Sequence, residues 1–379
     1  MKKIFLVVGL LLIVSVLLGG CSTHLRNKAS VADAGNDRQV NLNATVTLDG
    51  SDSVDEDGDK LTYKWSMVST PSGSKAKLSS TTDVKPTFVV DVRGDYTLQL
   101  VVNDGTEDSD ADEVLITTET LPTMQGMIIN HLCTDIDQIP ITWINKAKSD
   151  LYIAYEHTSH GSQLITGMDK LDEFMGGKGI YVFNDAGSGD ALHLDDNFVT
   201  TSGTDLGDAS WKDDTESYLN AHPDCSVVMW SWCGQVSDAS KTDVDTYLSG
   251  MSGLEKEYPD VSFVYMTGHT DGTGLSGNLH VRNQQIRDYC AANNKILYDF
   301  EDIESYDPDG KYFGDKSVDD GCNYDPSGNW AEEWQNSHKR GVDWYDCSSA
   351  HSQPVNANMK AYAAWWLFAR IAGWDGESS

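Results

Sequence analysis

The chain has 379 residues, more than one typical domain needs. Asp and Glu outnumber Lys and Arg 59 to 27, for a formal net charge of −32. Such a surface repels nucleic acid and anionic membranes, so no nucleic-acid partner is expected. The acids are spread along the chain rather than gathered in a tail, so wholesale disorder is not implied.

The first element is a leader. Met1-Lys2-Lys3 is basic, Ile4 to Leu18 is apolar, and Gly19-Gly20-Cys21 follows. That order reads as a secretory signal over residues 1–21. "LGGC" resembles a bacterial lipobox, which implies lipid attachment at Cys21 and membrane contact through that lipid. Ser22 behind it implies sorting to the outer membrane. The expected address is therefore outside the cytoplasm, lipid-anchored at the bacterial outer membrane or cell surface. Residues 22–31 read as a tether, and no later segment is apolar for long enough to span a bilayer.

From residue 32 to 118 the chain runs in short strands and turns. "ATVTLDGS", "LTYKWSMV", "KPTFVVDV", "GDYTLQLVVNDG" and "EVLITT" alternate apolar and polar residues with period two. Gly, Asp, Asn and Ser punctuate them, as in an antiparallel β-sandwich, with Trp65 as a core aromatic. "DAGNDRQVNLNATVTLDGSDSVDEDGDKLTYKWS" and "GDYTLQLVVNDG" resemble the PKD domain family, which is immunoglobulin-like. The resemblance implies a spacer, adhesion or glycan-contact module. "DEDGD" places Asp55, Asp57 and Asp59 as oxygen ligands that could hold Ca2+, or as a solvated acidic turn.

Residues 119–130 read as a linker, and behind them the grammar changes. "DLYIAYE", "GIYVFND", "CSVVMWSW", "VSFVYMT" and "KILYDF" are near-continuous apolar runs, the signature of strands buried on both faces. Helical patterns lie between them, and "NANMKAYAAWWLFARIAGW" closes the chain. Residues 131–376 are therefore expected to form a three-layer α/β sandwich with a mostly parallel sheet of flavodoxin-like type. In such folds ligands bind beyond the carboxyl ends of the strands.

Three corners at that edge carry reactive groups: "HTSHG", "GHTDG" and "AHSQ". A serine at a strand-to-helix turn gains backbone N–H groups and the positive end of the helix, and both stabilise an oxyanion. It still needs a base. His351, just before the last helix, supplies one. The layout resembles the SGNH (GDSL-like) hydrolase family. "HTSHG" matches its first motif and "AHSQPVNANMKAYA" its last. The resemblance implies a serine hydrolase that cleaves an ester, with an acetylated or otherwise acylated polysaccharide as substrate. Ser159 is then the nucleophile, His351 the base and Asp346 its orienting acid. Ser159, Gly234 and Thr270 serve the oxyanion, and His157, His160, His269 and Asp271 line the pocket.

The middle of the pattern departs from that family. Thr270 stands where an asparagine is usual, and Ser348 rather than an aspartate lies three residues before His351. Two other readings stay open. One is a non-catalytic surface lipoprotein that binds a glycan or a protein. The other is a metal-dependent hydrolase using His157, His160, His269 and Asp271. No organic cofactor motif and no definite metal site is read. Cys133, Cys225, Cys233, Cys290, Cys322 and Cys347 are even in number, as disulfides in an exported domain would be. Cys322 and Cys347 could pin the long loop that begins at "DKSVDDGCNYDPSGNW".

Overall fold

The computed structural model describes residues 27–40, 44–71, 74–92, 94–118, 126–199 and 205–376. The leader and Cys21 lie outside the described residues, as does most of the linker.

The N-terminal region is a β-sandwich. Its strands are β1 (Arg38–Val40), β2 (Thr45–Thr47), β3 (Thr62–Ser69), β4 (Thr87–Val89), β5 (Asp95–Asn103) and β6 (Asp112–Thr118). One sheet has the order β1-β6-β5-β3, and β2 pairs with β4 in the other. Along β5, Tyr96, Leu98, Leu100 and Val102 point inward and are fully buried, the period-two pattern of a one-faced strand. Trp65 packs among them at 1 % exposure. The sheet is not antiparallel throughout. β1 runs parallel to β6, with Arg38 opposite Ile116 and Val40 opposite Thr118. Alternation cannot reveal this, because side chains alternate identically in both orientations.

The second region is built on seven strands: β7 (Met127–Ile129), β8 (Tyr152–Glu156), β9 (Phe183–Asn184), β10 (Leu192–Asp196), β11 (Val227–Trp230), β12 (Ser262–Met266) and β13 (Ile296–Tyr298). Their order is β7-β13-β12-β11-β8-β10-β9, and every pair is parallel. All five residues of β8 and all four of β11 are buried, which is why these runs show no alternation. Two strands differ from expectation. Met127–Ile129, assigned to the linker, is the edge strand beside β13. Leu192–Asp196 is a strand that its mixed polarity conceals, since Asp195 and Asp196 occupy its carboxyl end.

The helices are α1 (Ile141–Asp150), α2 (Ser162–Phe174), α3 (Trp211–Ala221), α4 (Gln235–Asp238), α5 (Lys241–Glu257), α6 (Asn278–Ala292), α7 (Phe300–Glu304), α8 (Trp330–Ser337) and α9 (Pro354–Ile371). A capping box at Ser240 and Asp243 starts α5, satisfying N–H groups that the helix leaves open. Proline in the first turn starts α9, where its missing N–H costs nothing. α9 is buried nearly all round and lies against α2. The two approach so closely that a Cβ on Gly167 would stand 2.2 Å from the Ala357 carbonyl oxygen. Among the described residues no helix is long and apolar enough to cross a membrane.

The chain leaves β8 toward β10 and β9 on one side, then returns to build β11, β12 and β13 on the other. β8 and β11 therefore flank the topological switch point, where open α/β sheets form their cleft. The six cysteines of this region are free thiols. Cys322 does not bridge to Cys347. Its Sγ lies 3.3 Å from Ser352 Oγ, and Cys347 Sγ accepts from Asn358 Nδ2 at 3.4 Å.

Candidate active site

Past the end of β8 the chain turns through His157, Thr158, Ser159, His160 and Gly161 before α2 begins. Gly161 is required here. A Cβ would stand 2.3 Å from Ser231 Oγ and 2.7 Å from the Tyr155 hydroxyl. His157 is spoken for: Nε2 meets Asp196 Oδ1 at 2.7 Å and Nδ1 meets the Thr158 carbonyl oxygen at 2.9 Å. Ser162 caps the turn by donating to the Ser159 carbonyl at 2.6 Å. Ser159 itself is half-buried, with Oγ 3.9 Å from Cys233 Sγ.

Cys233 comes from the corner after β11. Its Sγ lies 3.4 Å from His160 Nδ1, and His160 Nε2 lies 3.0 Å from Asp320 Oδ2. Thiol, imidazole and carboxylate thus form one line across the switch point. Burial pulls the His160 ring toward neutrality, but its bonds to Asp320 and Cys233 outweigh that, and its pKa is raised. Burial lifts the Cys233 thiol, yet hydrogen bonds from Thr158 and His160 outweigh it and leave the thiol below its usual value. Asp320 is likewise lifted by burial and lowered more by His160. The sequence reading missed both Cys233 and Asp320. Cys233 followed a buried strand, as a nucleophile on a corner does, but the even cysteine count drew it into disulfides. Asp320 lay in a loop with many other acids.

Around this line stand the remaining candidates. His269 stacks on His160 with centroids 3.7 Å apart, and His351 stacks at 4.7 Å. Burial pulls His269 below its ordinary value. His269 Nδ1 meets the Thr270 carbonyl oxygen at 2.7 Å, while Nε2 is buried with no partner among the described residues. The His351 ring is exposed and makes no hydrogen bond among the described residues. Backbone N–H groups of Ser159 and Gly234 meet no acceptor there either, as oxyanion donors require.

Several expected roles find no geometry. Asp346 does not reach His351, because its carboxylate pairs with Arg340 at 2.7 Å on the surface. Thr270 is not free to serve an oxyanion, since its N–H and hydroxyl both donate to Glu304 Oε2, at 2.8 and 3.1 Å. Asp271 braces a turn, accepting from Ser237 Oγ at 2.8 Å and from Thr273 N–H at 2.9 Å. His157, His160, His269 and Asp271 therefore do not converge as one ligand set. Among the described residues the group with metal-ligand spacing is His160, Asp320 and His351. Asp55 Oδ1 closes its own turn by accepting from Asp57 and Asp59 N–H at 2.9 and 3.0 Å, and no metal-ligand cluster forms around them among the described residues.

A buried ion pair anchors these corners. Lys360 of α9 donates to Glu304 Oε1 and to Gln163 Oε1, and its ammonium lies 3.8 Å from the Phe300 ring centroid. Gln163 in turn donates to the carbonyl of Ala350, next to His351. The loops bearing Thr270, His351 and the start of α2 are thus tied to one interior charge.

Comparison with known proteins assigns one of the two regions. Residues 34–118 match a family model described as a PKD domain. The solution structure of the PKD domain from the KIAA 1837 protein is 30 % identical, covering 24 % of this chain and 89 % of that one at a TM-score of 0.20. The PKD domain of human KIAA0319 is 16 % identical, covering 26 % of this chain and 89 % of that one, TM-score 0.22. A nucleoside hydrolase-related hypothetical protein from Saccharophagus degradans is 24 % identical over 24 % of this chain and 26 % of its own, TM-score 0.22. This chain thus spans about a quarter of that protein, and such low scores carry no argument about function. No curated protein matches the chain. Residues 34–118 are a PKD domain, and the region behind them is an α/β domain with a seven-stranded, all-parallel sheet.

Proposed function

We propose that the corner between β8 and β11 is an acyl-transfer site that hydrolyses an ester. Cys233 is the nucleophile, His160 the base and Asp320 the residue that orients His160. The observation that carries this reading is the unbroken line Cys233 Sγ to His160 Nδ1 at 3.4 Å and His160 Nε2 to Asp320 Oδ2 at 3.0 Å. Nucleophile, base and orienting acid in hydrogen-bonding sequence are the parts of a covalent acyl-transfer site. Cys233 Sγ bonds to the acyl carbon as its proton passes to His160. His160 returns that proton to the leaving alkoxide. Water, deprotonated by His160, then hydrolyses the thioester. The free N–H groups of Ser159 and Gly234 supply oxyanion donors.

A second reading keeps Ser159 as nucleophile with His351 as base, as SGNH-like hydrolases would have it. The half-buried Ser159 Oγ, on the same corner and 3.9 Å from Cys233 Sγ, favours it. Hydrolysis of p-nitrophenyl acetate by Cys233→Ala, Ser159→Ala, His160→Gln and His351→Gln variants decides between them. Loss in the first and third supports the thiol. Loss in the second and fourth, with Cys233→Ala active, supports the serine. A residual rate unchanged in all four removes both, leaving a glycan- or protein-binding surface module.

The leader and the PKD domain fit an enzyme held at the cell surface by a lipid on Cys21, with an acylated polysaccharide as substrate. Release of a Cys21→Ser variant from the membrane fraction tests the anchor. Acetate release from acetylated xylan tests the substrate class.

A further inference from the structure

Asp320 and His351 reach His160 on two loops that hold each other. Cys322 and His351 both adopt left-handed backbone, with φ of 66° and 62°. Non-glycine residues are strained in this conformation and keep it where surrounding contacts enforce it. The enforcing contacts are Cys322 Sγ to Ser352 Oγ at 3.3 Å and Asn356 Nδ2 to Ser352 Oγ at 2.7 Å. The result is that one nitrogen of His160, one carboxylate oxygen of Asp320 and one nitrogen of His351 all lie within 4.8 Å of one another. His351 contributes a solvent-facing ring with no hydrogen bond among the described residues.

We propose that His160, Asp320 and His351 bind a divalent cation of the zinc class, and that its binding switches the acyl-transfer site off. Two imidazoles and one carboxylate are a borderline nitrogen and oxygen set that suits zinc, with an open side for water. The protein's charge of −32 concentrates cations at its surface. His160 faces Asp320 through Nε2 and Cys233 through Nδ1. Coordination at Nε2 takes the lone pair there and leaves the neutral ring's proton on Nδ1. Nδ1 is the atom that must accept the Cys233 proton, so the metal-bound ring cannot act as its base. The switch rests on the acyl-transfer reading, whereas the binding site does not.

The test is zinc titration by calorimetry of the full chain purified in detergent and stripped with EDTA, beside His351→Gln and Asp320→Asn. Circular dichroism confirms that the variants are folded, and p-nitrophenyl acetate hydrolysis is followed in parallel. The expected result is one zinc per chain, bound at least about tenfold more weakly by each variant. Hydrolysis by the unaltered chain falls in step with occupancy. No zinc uptake, or uptake unchanged in both variants, overturns the site. Zinc that raises hydrolysis overturns the switch and makes the metal catalytic. If the stripped chain hydrolyses nothing, the acyl-transfer reading and the switch fall together, and the titration alone decides the site.

Discussion

Cys233 Sγ lies 3.4 Å from His160 Nδ1, although the two residues stand 73 positions apart in the chain. Parallel pairing of β8 with β11 makes them neighbours, because both follow directly from the carboxyl ends of those strands. A thiol there, half-exposed beside an imidazole, is the group an electrophile meets first. Cys225, Cys290 and Cys322 are buried, and burial pushes the Cys322 and Cys347 thiols up to about 12. Iodoacetamide is therefore expected to modify Cys233 before the other five. Peptide mapping after partial reaction checks this, and first labelling at any other cysteine refutes it.

The same line predicts a graded loss of hydrolysis. Cys233→Ala and His160→Gln should each lower kcat/KM by about a hundredfold or more, since each removes a proton-transfer or bond-forming group. Asp320→Asn should cost less, about tenfold to a hundredfold, because it only orients His160. Arg340→Ala, which frees Asp346, should leave the rate within about twofold, as that pair lies on the surface. Steady-state kinetics on the four variants measures the order.

Glu156 ends β8 beneath this corner and is fully buried. Its Oε2 accepts from Val199 N–H at 2.7 Å, while Oε1 has no partner among the described residues. Burial lifts its carboxyl from 4.5 to about 7. Between those values the native state holds a proton that the unfolded chain has released. Stability is therefore full below 4.5, falls as pH rises, and levels off above about 7. The span corresponds to roughly 3 kcal/mol. Glu156→Gln should remove this slope, so urea unfolding at pH 4 and pH 8 should show a variant that gains on the parent only at the higher pH.

Lys360 and Glu304 have side-chain exposures of 0 % and 1 %. Removing either partner leaves an uncompensated buried charge, at a cost of about 3–5 kcal/mol. Lys360→Met and Glu304→Gln should each destabilise by that order, and the double variant by clearly less than their sum. A double-mutant cycle from urea melts measures the coupling, and strict additivity would sink the pairing.

Three glycines give opposite signs under one substitution. Gly161→Ala and Gly167→Ala meet atoms at 2.3 and 2.2 Å, and each should cost about 1–3 kcal/mol. Gly253 sits inside α5 with its nearest atom, Lys212 Cε, at 3.9 Å. Gly253→Ala should therefore stabilise by about 0.5–1 kcal/mol. Thermal melts of the three variants test the signs.

Sequence alone determined what local physics determines. Period-two alternation marked the sandwich, and its motifs named the PKD domain that the family match places at residues 34–118. Continuous apolar runs such as "LYIAY" and "VVMW" marked a parallel sheet, because strands covered on both faces need no polar side. "HTSHG" drew attention to the corner where the thiol, imidazole and carboxylate line up, since ligands at a parallel sheet sit past its carboxyl ends. Which distant group meets that corner was not written in any local pattern. Asp346 was nearer to His351 in the chain, yet Arg340 holds it at the surface, while Asp320 arrives from a loop that two left-handed turns bend inward. Cys233 looked like one of six interchangeable cysteines until strand order set it beside His160. Such pairings depend on strand order and loop closure, which join residues far apart in the chain, so only the tertiary structure could decide them.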